Sequence, residues 1–256
     1  MNQPPVPSVI DRTGDPVGGG RSAPRTARDW ARVRLTEQIL DAARAQLATE
    51  GSSGLSLRAI ARDLGMSSSA IYRYFPSRDE LLTALIIEAY NGLGLATETA
   101  EAAVGRDDLA GRWSAACRGV RSWALANPHQ YALIYGSPVP GYKAPTDTVV
   151  PATRVSTVMT GILVDGLVRG QIDAHVLTEE LDAATVASME PLLAQIPPEI
   201  PPALLARGVL ALAALYGAVS FELFGQFHNV IDETPKARDV WFDLLVRHWA
   251  HIVGLG

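Results

Sequence analysis

The sequence has little of what a secreted or membrane protein needs. Cys117 is the single cysteine among 256 residues, so no disulfide can form within the chain. No leader with a charged start and an apolar middle is visible. The longest uncharged apolar run of the second half, the 14 residues GVLALAALYGAVSF, is shorter than the ~20 that a membrane-spanning helix needs. We therefore expect a cytoplasmic protein without a membrane segment, and we interpret this run as a deeply buried helix.

Groupings of residues that would carry out chemistry are also missing. No Ser/His/Asp grouping and no glycine-rich phosphate loop is visible. The histidines show no metal-ligand spacing: His129, His175, His228, His248 and His251. We therefore expect no enzyme, no metal site and no cofactor.

The net charge of -5 is unevenly distributed along the chain. Residues 1–80 hold 11 arginines and 9 acidic residues, a net charge of +2, whereas residues 81–256 hold 11 basic and 18 acidic residues, a net charge of -7. Because phosphate attracts positive charge, the N-terminal part is the part suited to nucleic acid.

Residues 1–28 are rich in proline and glycine and poor in large apolar side chains. Such a composition cannot offset the entropy lost on ordering, so we predict a flexible N-terminal arm. Its arginines and those that follow could lie along a nucleic-acid backbone or could simply be solvated: Arg21, Arg25, Arg28, Arg32 and Arg34.

Three helices are predicted between residues 29 and 80. The first runs from Leu35 to a stop at Gly51, because apolar residues recur there at helical spacing. The second begins after Ser56 and ends at Gly65, and the third runs from a cap at Ser67 to Phe75. Since only two or three residues separate the last two helices, they must cross steeply.

The third helix has one apolar face and one polar face. Ile71 and Phe75 must pack on the other helices, which leaves Ser68, Ser69, Tyr72 and Arg73 on the outside. Small hydrogen-bonding groups, an aromatic ring and a cation on a projecting helix suit the major groove of DNA. The pattern predicts a helix-turn-helix.

The same residues resemble a known family. The pattern is Leu57-Arg58-x-Ile60-Ala61-x-x-Leu64-Gly65-Met66-Ser67, then Ile71-Tyr72-x-Tyr74-Phe75, then Arg78-x-x-Leu81. It resembles the TetR family of bacterial transcriptional regulators, which usually has Lys at the position of Arg78 and often His at that of Tyr74. The resemblance implies that Ser68, Ser69 and Tyr72 approach bases, and that Ser56, Tyr74 and Arg78 hold the DNA backbone. Ser67 and Arg73 complete the predicted DNA-binding set.

The remainder of the chain predicts a larger all-helical domain. Prolines within residues 136–147 and 196–202 exclude helix interiors there. The predicted helices are Asp108–Ala126, Pro128–Tyr135, Thr153–Arg169, Thr178–Gln195, Pro202–Gln226 and Lys236–Val253.

The last two helices are apolar on more than one face, so each needs more than one partner. Pairing them with their copies in a second subunit would give a four-helix interface with two-fold symmetry, and burial inside one subunit is the alternative. The predicted interface residues are Leu205, Val209, Leu212, Tyr216, Val219, Val240, Trp241, Leu244, Leu245 and Trp249.

By the same resemblance, this domain binds a small molecule that releases the protein from DNA. The segments LYGAVSFELFGQF and YGSPVPGY resemble a subgroup named for a Trp-His-Gly signature, here Tyr216-Gly217 without the histidine. An apolar or aromatic effector suits the candidate pocket residues, each of which could equally be core: Trp113, Cys117, Tyr131, Tyr135, Met159 and Met189.

The sequence thus predicts an all-α protein with a helix-turn-helix DNA-binding domain at residues 29–80 and a helical ligand-binding and dimerisation domain at residues 81–256. The predicted function is that of a homodimeric repressor, released from an inverted-repeat operator in double-stranded DNA by a small-molecule effector. Two alternatives stay open. One is a helical enzyme or small-molecule binding protein in which Tyr72 and Tyr74 only pack, and the other is a DNA-binding regulator controlled by a protein partner.

Overall fold

All regular secondary structure in the described residues is helical. The structure is a computed structural model that describes residues 26–178 and 180–256, and it confirms the predicted all-α class. Residues 1–25, most of the predicted arm, lie outside the described residues. In chain order the helices are α1 (Ala27–Gly54), α2 (Leu57–Asp63), α3 (Ser68–Ile71), α4 (Arg78–Ala102), α5 (Leu109–Ala126), α6 (Pro128–Tyr135), α7 (Val149–Val168), α8 (Ala174–Leu177), α9 (Ala183–Ser188), α10 (Glu190–Leu193), α11 (Pro202–Leu223) and α12 (Pro235–Ile252).

Helix α1 begins at Ala27, inside the predicted arm and well before Leu35. Its start is closed by a capping box: Asp29 N–H donates to Thr26 Oγ1, and Thr26 N–H donates to Asp29 Oδ2, both at 3.1 Å. Periodicity of apolar residues could not reveal this start, because the first turns of the helix carry no buried face. The helix kinks at Gly51, whose φ of 70° glycine adopts without strain.

The N-terminal head, defined here as residues 27–88, has its own hydrophobic core. The cluster extends past residue 80, the predicted domain boundary, into the first turns of α4, so α4 belongs to both halves of the chain. Its buried members are Ile39, Ala43, Leu55, Leu57, Ile60, Ala61, Ile71, Phe75, Leu81, Leu82, Leu85 and Ile86.

A second core fills the regulatory domain, defined here as residues 89–256. Helices α4, α5, α7, α11 and α12 enclose it, with Trp113 of α5, Ile162 of α7 and Leu215 of α11 almost wholly buried. Buried charge fixes three of these helices: the Arg112 guanidinium donates to Glu101 Oε1 of α4 at 2.5 Å and to Asp165 Oδ2 of α7 at 2.7 Å. Because both carboxylates and the guanidinium are paired, the cost of burying Arg112 is offset.

The single helix predicted for Thr178–Gln195 is wrong. Two separate short helices, α9 and α10, occupy most of this stretch. Asp182 starts a new helix, because its Oδ1 accepts the Thr185 N–H at 2.9 Å. Pro191 has no N–H to continue a helix and therefore stands in the first turn of α10.

Helix α11 is less buried than its composition predicted. With 22 residues and a mean hydropathy of 1.8 it is long and apolar enough to cross a membrane, by length and composition alone. Only 28% of its most apolar 18-residue stretch is buried within the chain, and Val209, Leu210 and Phe221 are exposed. The expectation of a deeply buried helix is therefore wrong, because one face of α11 has no partner among the described residues of this chain.

Candidate nucleic-acid interface

The turn between α2 and α3 is closed by local hydrogen bonds. Ser56 caps α2, because its Oγ accepts the Ala59 N–H at 3.3 Å. Gly65 ends the helix with a φ of 64°, and this conformation lets Met66 N–H donate to Ala61 O at 2.8 Å. The chain therefore reverses within a few residues and presents α3 at the surface of the head.

Helix α3 is shorter than predicted, but its packing face is as expected. Its regular part ends at Ile71, after which the Arg73 and Tyr74 N–H groups donate three residues back, to Ala70 and Ile71, as in a tighter helical turn. Ile71 and Phe75 are buried in the head core. The opposite side of α3 is therefore left outside.

That outer side carries the predicted base-approaching residues. Ser67, Ser68, Ser69 and Arg73 are exposed, and Tyr72 is 40% exposed. Ser67 makes no capping hydrogen bond to α3, and its Oγ lies 3.2 Å from Ser69 Oγ. The surface thus offers hydroxyl groups, a phenol and a guanidinium, which can donate to and accept from base edges and phosphates.

Tyr74 lies at the edge of this surface. It is half-buried and packs against the head core. The Arg32 guanidinium of α1 lies over its ring, 5.8 Å from the ring centroid. Packing thus accounts for much of the environment of Tyr74, whereas Tyr72 is 40% exposed.

Arg78, which is predicted to hold the DNA backbone, is half-buried and also bonds to the protein backbone. Its Nε donates to Leu55 O at 3.2 Å and its Nη2 donates to Ser52 O at 2.6 Å. These carbonyls lie at the end of α1 and in its link to α2, where helical partners run out. Arg78 therefore ties α4 to the end of α1.

Positive charge without an acidic partner gathers in the head. Among the described head residues, five arginines form no salt bridge: Arg28, Arg32, Arg34, Arg58 and Arg73. In the regulatory domain, by contrast, six arginines pair with carboxylates: Arg106, Arg112, Arg118, Arg121, Arg154 and Arg169. The unpaired cations are thus concentrated in the part of the chain that carries α3.

Helix α6 connects the two halves of the chain. Leu133 and Ile134 pack against the head core. On the same short helix, Tyr131 Oη donates to the backbone oxygen of Tyr216 on α11 at 3.0 Å, and Tyr135 stacks on the Tyr216 ring. Because α6 contacts both α11 and the head core, a movement of α11 would be transmitted to the head through α6.

Two further contacts join the halves, and neither was predicted. Thr83 Oγ1 and Tyr142 Oη are hydrogen-bonded at 2.8 Å. Glu88 accepts from Arg44 of α1 and, at 3.4 Å, from Gln130 of α6. No local pattern could have identified these pairs, because their members are far apart in the sequence.

The predicted ligand residues belong to one cluster. Trp113, Cys117, Tyr131 and Met159 are at most 5% exposed, and Tyr135 and Met189 are half-buried against them. Burial raises the pKa of the Cys117 thiol far above its ordinary range, which keeps it protonated and unreactive. Trp113 Nε1 is buried without a hydrogen-bond partner in the described residues, an unusual state for an indole N–H.

Two clefts lie elsewhere and open to solvent. One of ≈ 880 Å³ runs between α4 and α5 along Leu95, Gly119 and Trp123, and one of ≈ 560 Å³ lies along α12 beside Trp241 and Leu244. Neither is lined by any of the six predicted ligand residues. No group of three or more metal-binding side chains occurs in residues 26–178 and 180–256.

The predicted interface residues divide into three sets by their burial. Leu205, Val219 and Trp249 are buried in the core of their own subunit, so they are not available to a partner. Val209 is 48% exposed and Val240 61% exposed. The others are half-buried: Leu212, Tyr216, Trp241, Leu244 and Leu245.

Two family models match the chain. Residues 39–85 match "Bacterial regulatory proteins, tetR family", and residues 113–249 match "Tetracyclin repressor-like, C-terminal domain". The first match covers α2, α3 and the core of the head, and the second covers α5 to most of α12.

Whole-chain relatives agree with these matches. HTH-type transcriptional regulators of Mycobacterium tuberculosis and Mycobacterium bovis are each 42% identical over 204 residues, covering 77% of this chain and 84% of theirs. The crystal structure of the regulatory protein SCO4313 is 33% identical, with a TM-score of 0.71, over 88% of this chain and all of that one. A tetR-family regulatory protein from Rhodococcus RHA1, 16% identical over 87% of this chain and 98% of its own, shares the fold with a TM-score of 0.57. The chain belongs to the TetR family and is a DNA-binding transcriptional regulator.

Proposed function

We propose that the protein is a homodimeric repressor that binds an inverted-repeat operator through α3 of each subunit and is released by a small apolar or aromatic ligand. Regulators of this family are DNA-binding proteins rather than enzymes, as the sequence predicted. The observation that carries the proposal is the exposed polar side of α3, with Tyr72 and Arg73 in solvent while Ile71 and Phe75 anchor the helix. A protein that acts on DNA in a bacterium works in the cytoplasm, which is the location we propose.

Dimerisation through α11 and α12 is supported by what these helices leave uncovered. Val209, Leu210, Phe221 and Val240 are large apolar side chains in solvent, and a contiguous apolar patch usually marks an interface. Trp241 Nε1 is a buried atom without a hydrogen-bond partner in the described residues, beside the cleft along α12. A second copy could cover this face, and two-fold pairing would present two α3 helices to one DNA duplex.

Ligand release is supported by the Tyr-rich contact between α6 and α11. The buried Trp113 Nε1 is a polar group in an otherwise apolar core, the kind of single handle that orients an apolar ligand. A ligand that displaces α6 or α11 from this core would act on the head, because α6 also packs on the head core through Leu133 and Ile134. The ligand would then change the distance between the two α3 helices of the dimer, because it binds the arrangement that is released from DNA more tightly than the DNA-bound arrangement.

The test first selects the DNA sequences that the protein binds and then screens for compounds that release the protein from them. The purified chain is incubated with duplexes carrying a random core, and the retained sequences are determined. We expect two copies of one half-site in inverted orientation. Metabolites are then screened for release of the selected duplex. An apolar compound should release it, and DNA should weaken that compound's binding by the same factor. Release only by a protein fraction would favour the partner-controlled alternative, and failure to retain any sequence would contradict operator binding.

A further inference from the structure

The first turns of α1 extend past the head core without tertiary packing. Residues 27–34 are all exposed, and the first buried residue of the helix is Ile39. A short helix without packing is marginal in water, yet the capping box of Thr26 and Asp29 closes its start. This N-terminal extension, residues 27–34, therefore presents a helical surface that nothing in the described part of the chain covers.

One face of the extension continues the packing face of the helix. Arg28, Arg32, Leu35 and Ile39 follow one another at spacings of four, three and four residues, so they lie on the same side of α1. Leu35 and Ile39 pack on the head core, whereas Arg32 and Arg28 lie beyond its edge. The side of α1 that is apolar over the head core thus carries Arg28 and Arg32 beyond the edge of that core. These two residues are called the arginine stripe.

The arginine stripe lies next to the DNA-binding surface. The Arg32 guanidinium is over the ring of Tyr74, in the turn that follows α3, and Arg28 lies one helical turn further along. A guanidinium that lies over an aromatic ring, 5.8 Å from the ring centroid, makes no hydrogen bond to it, so its N–H groups stay available to donate. Neither arginine forms a salt bridge in the described residues, and Asp29, the acid between them, accepts the hydrogen bond of the helix cap.

We propose that Arg28 and Arg32 bind phosphates of the DNA duplex beside the base pairs approached by α3. Duplex DNA is the one occupant that fits, because the stripe is cationic and is continuous with the DNA-binding face of the head. The contact adds an anchor outside the recognition helix, and it rests on DNA binding by this head. Such an anchor contributes affinity and register rather than sequence preference.

Arg34 provides a matched control for the experiment. It is on the same extension, is equally exposed and unpaired, and lies away from the stripe because it is two residues from Arg32. Arg28→Ala, Arg32→Ala and Arg34→Ala each remove one charge from a solvent-exposed helix position, so folding should be retained. The slope of log affinity against log salt concentration is measured for each variant on a 40-bp duplex containing the selected operator.

The slope of log affinity against log salt concentration is proportional to the number of phosphates contacted, at about 0.9 per phosphate. We expect Arg28→Ala and Arg32→Ala each to lower it by about 1.8 in a dimeric complex, Arg34→Ala to leave it unchanged, and Arg28→Lys to retain it. Equal slopes for all three alanine variants and the wild type, or equal losses that include Arg34→Ala, would overturn the proposal. If selection returned no operator, the proposed function would fail separately, and the slopes would still be compared on a 40-bp duplex of mixed sequence.

Discussion

Tyr135 of α6 stacks on Tyr216 of α11, with ring centroids 4.3 Å apart and ring planes inclined by 28°. This pair connects the helix that packs on the DNA-binding head with the helix whose outer face has no partner in the described part of the subunit. Tyr131 extends the same contact, since its Oη lies within hydrogen-bond distance of both Tyr216 O and Ser220 Oγ. The regulatory domain and the head are therefore joined through α6, which contacts α11 through its tyrosines and the head core through Leu133 and Ile134.

The tyrosine contact gives the folded state a dependence on alkaline pH. Burial raises the pKa of Tyr216 to about 12, and it also raises the pKa of Tyr131 and Tyr135 above the ordinary value of 10.0. At a pH between the ordinary pKa and the raised pKa, each of these tyrosines is deprotonated in the unfolded chain and protonated in the folded chain. The free energy of unfolding should therefore fall as pH rises above 10, by at most about 1.4 kcal/mol per pH unit for each tyrosine.

Denaturant unfolding from about pH 9 to about pH 11 measures this slope. Tyr216→Phe removes one of the titrating groups and should make the decline shallower. An identical decline in the wild type and in Tyr216→Phe would contradict the assignment of the effect to this contact.

Arg78→Ala should lower stability, because it leaves Ser52 O and Leu55 O without their donor. Hydrogen bonds from a charged group contribute about 1.5–3 kcal/mol, and the partial exposure of Arg78 favours a loss of about 1–2 kcal/mol. Thermal unfolding measures the change. Arg58→Ala is the control, since it removes an exposed, unpaired arginine from the neighbouring helix and should leave the melting temperature unchanged. Equal melting temperatures for both variants would show that Arg78 does not hold the end of α1.

Tyr72→Ala should weaken operator binding and leave folding intact. A contact to a base edge contributes about 1–3 kcal/mol, and the loss should be greater on the operator than on scrambled DNA. Exposed positions change stability by less than about 0.5 kcal/mol. Gel shifts and thermal unfolding of one preparation measure both effects. A large stability loss with operator preference retained would instead support a packing role for Tyr72.

Val240→Glu should dissociate the dimer. Placing an unpaired carboxylate in an apolar interface costs several kcal/mol, so a loss of about 3 kcal/mol corresponds to roughly 100-fold weaker association. Light scattering after size exclusion should report twice the subunit mass of 27.3 kDa for the wild type and a single subunit for the variant. Val168→Glu, at a position 83% exposed on α7, should remain dimeric. A dimeric Val240→Glu protein would place the interface elsewhere.

The head was predictable because its signals are local. Ser56, Gly65 and Pro76 mark helix ends within a few residues of the groups that they satisfy, and the alternation of apolar and polar positions identified the outer side of α3. The hydrogen bonds of Arg78 were missed because their acceptors, Ser52 O and Leu55 O, come from a distant part of the chain. An exposed arginine and a buried one look alike in a sequence.

The regulatory domain was predictable as a set of helices but not as a packing arrangement. The apolar composition of α11 did not distinguish residues buried in the subunit, such as Val219, from residues left in solvent, such as Val209. The break within Thr178–Gln195 was missed although Pro191 and Asp182 supply its local causes. The six candidate ligand residues are together in the core, and composition could not separate a lined pocket from a packed interior.

The central claim is that α3 of two subunits reads an inverted repeat, and one binding measurement tests it most directly. The affinity of the wild-type chain is determined at ~150 mM salt for the selected duplex, for the same duplex with one half-site scrambled, and for a fully scrambled duplex. We predict a loss of at least about 10-fold on scrambling one half-site and a further loss on scrambling both, since each half-site engages one α3 helix. Equal affinity for the three duplexes would contradict the claim.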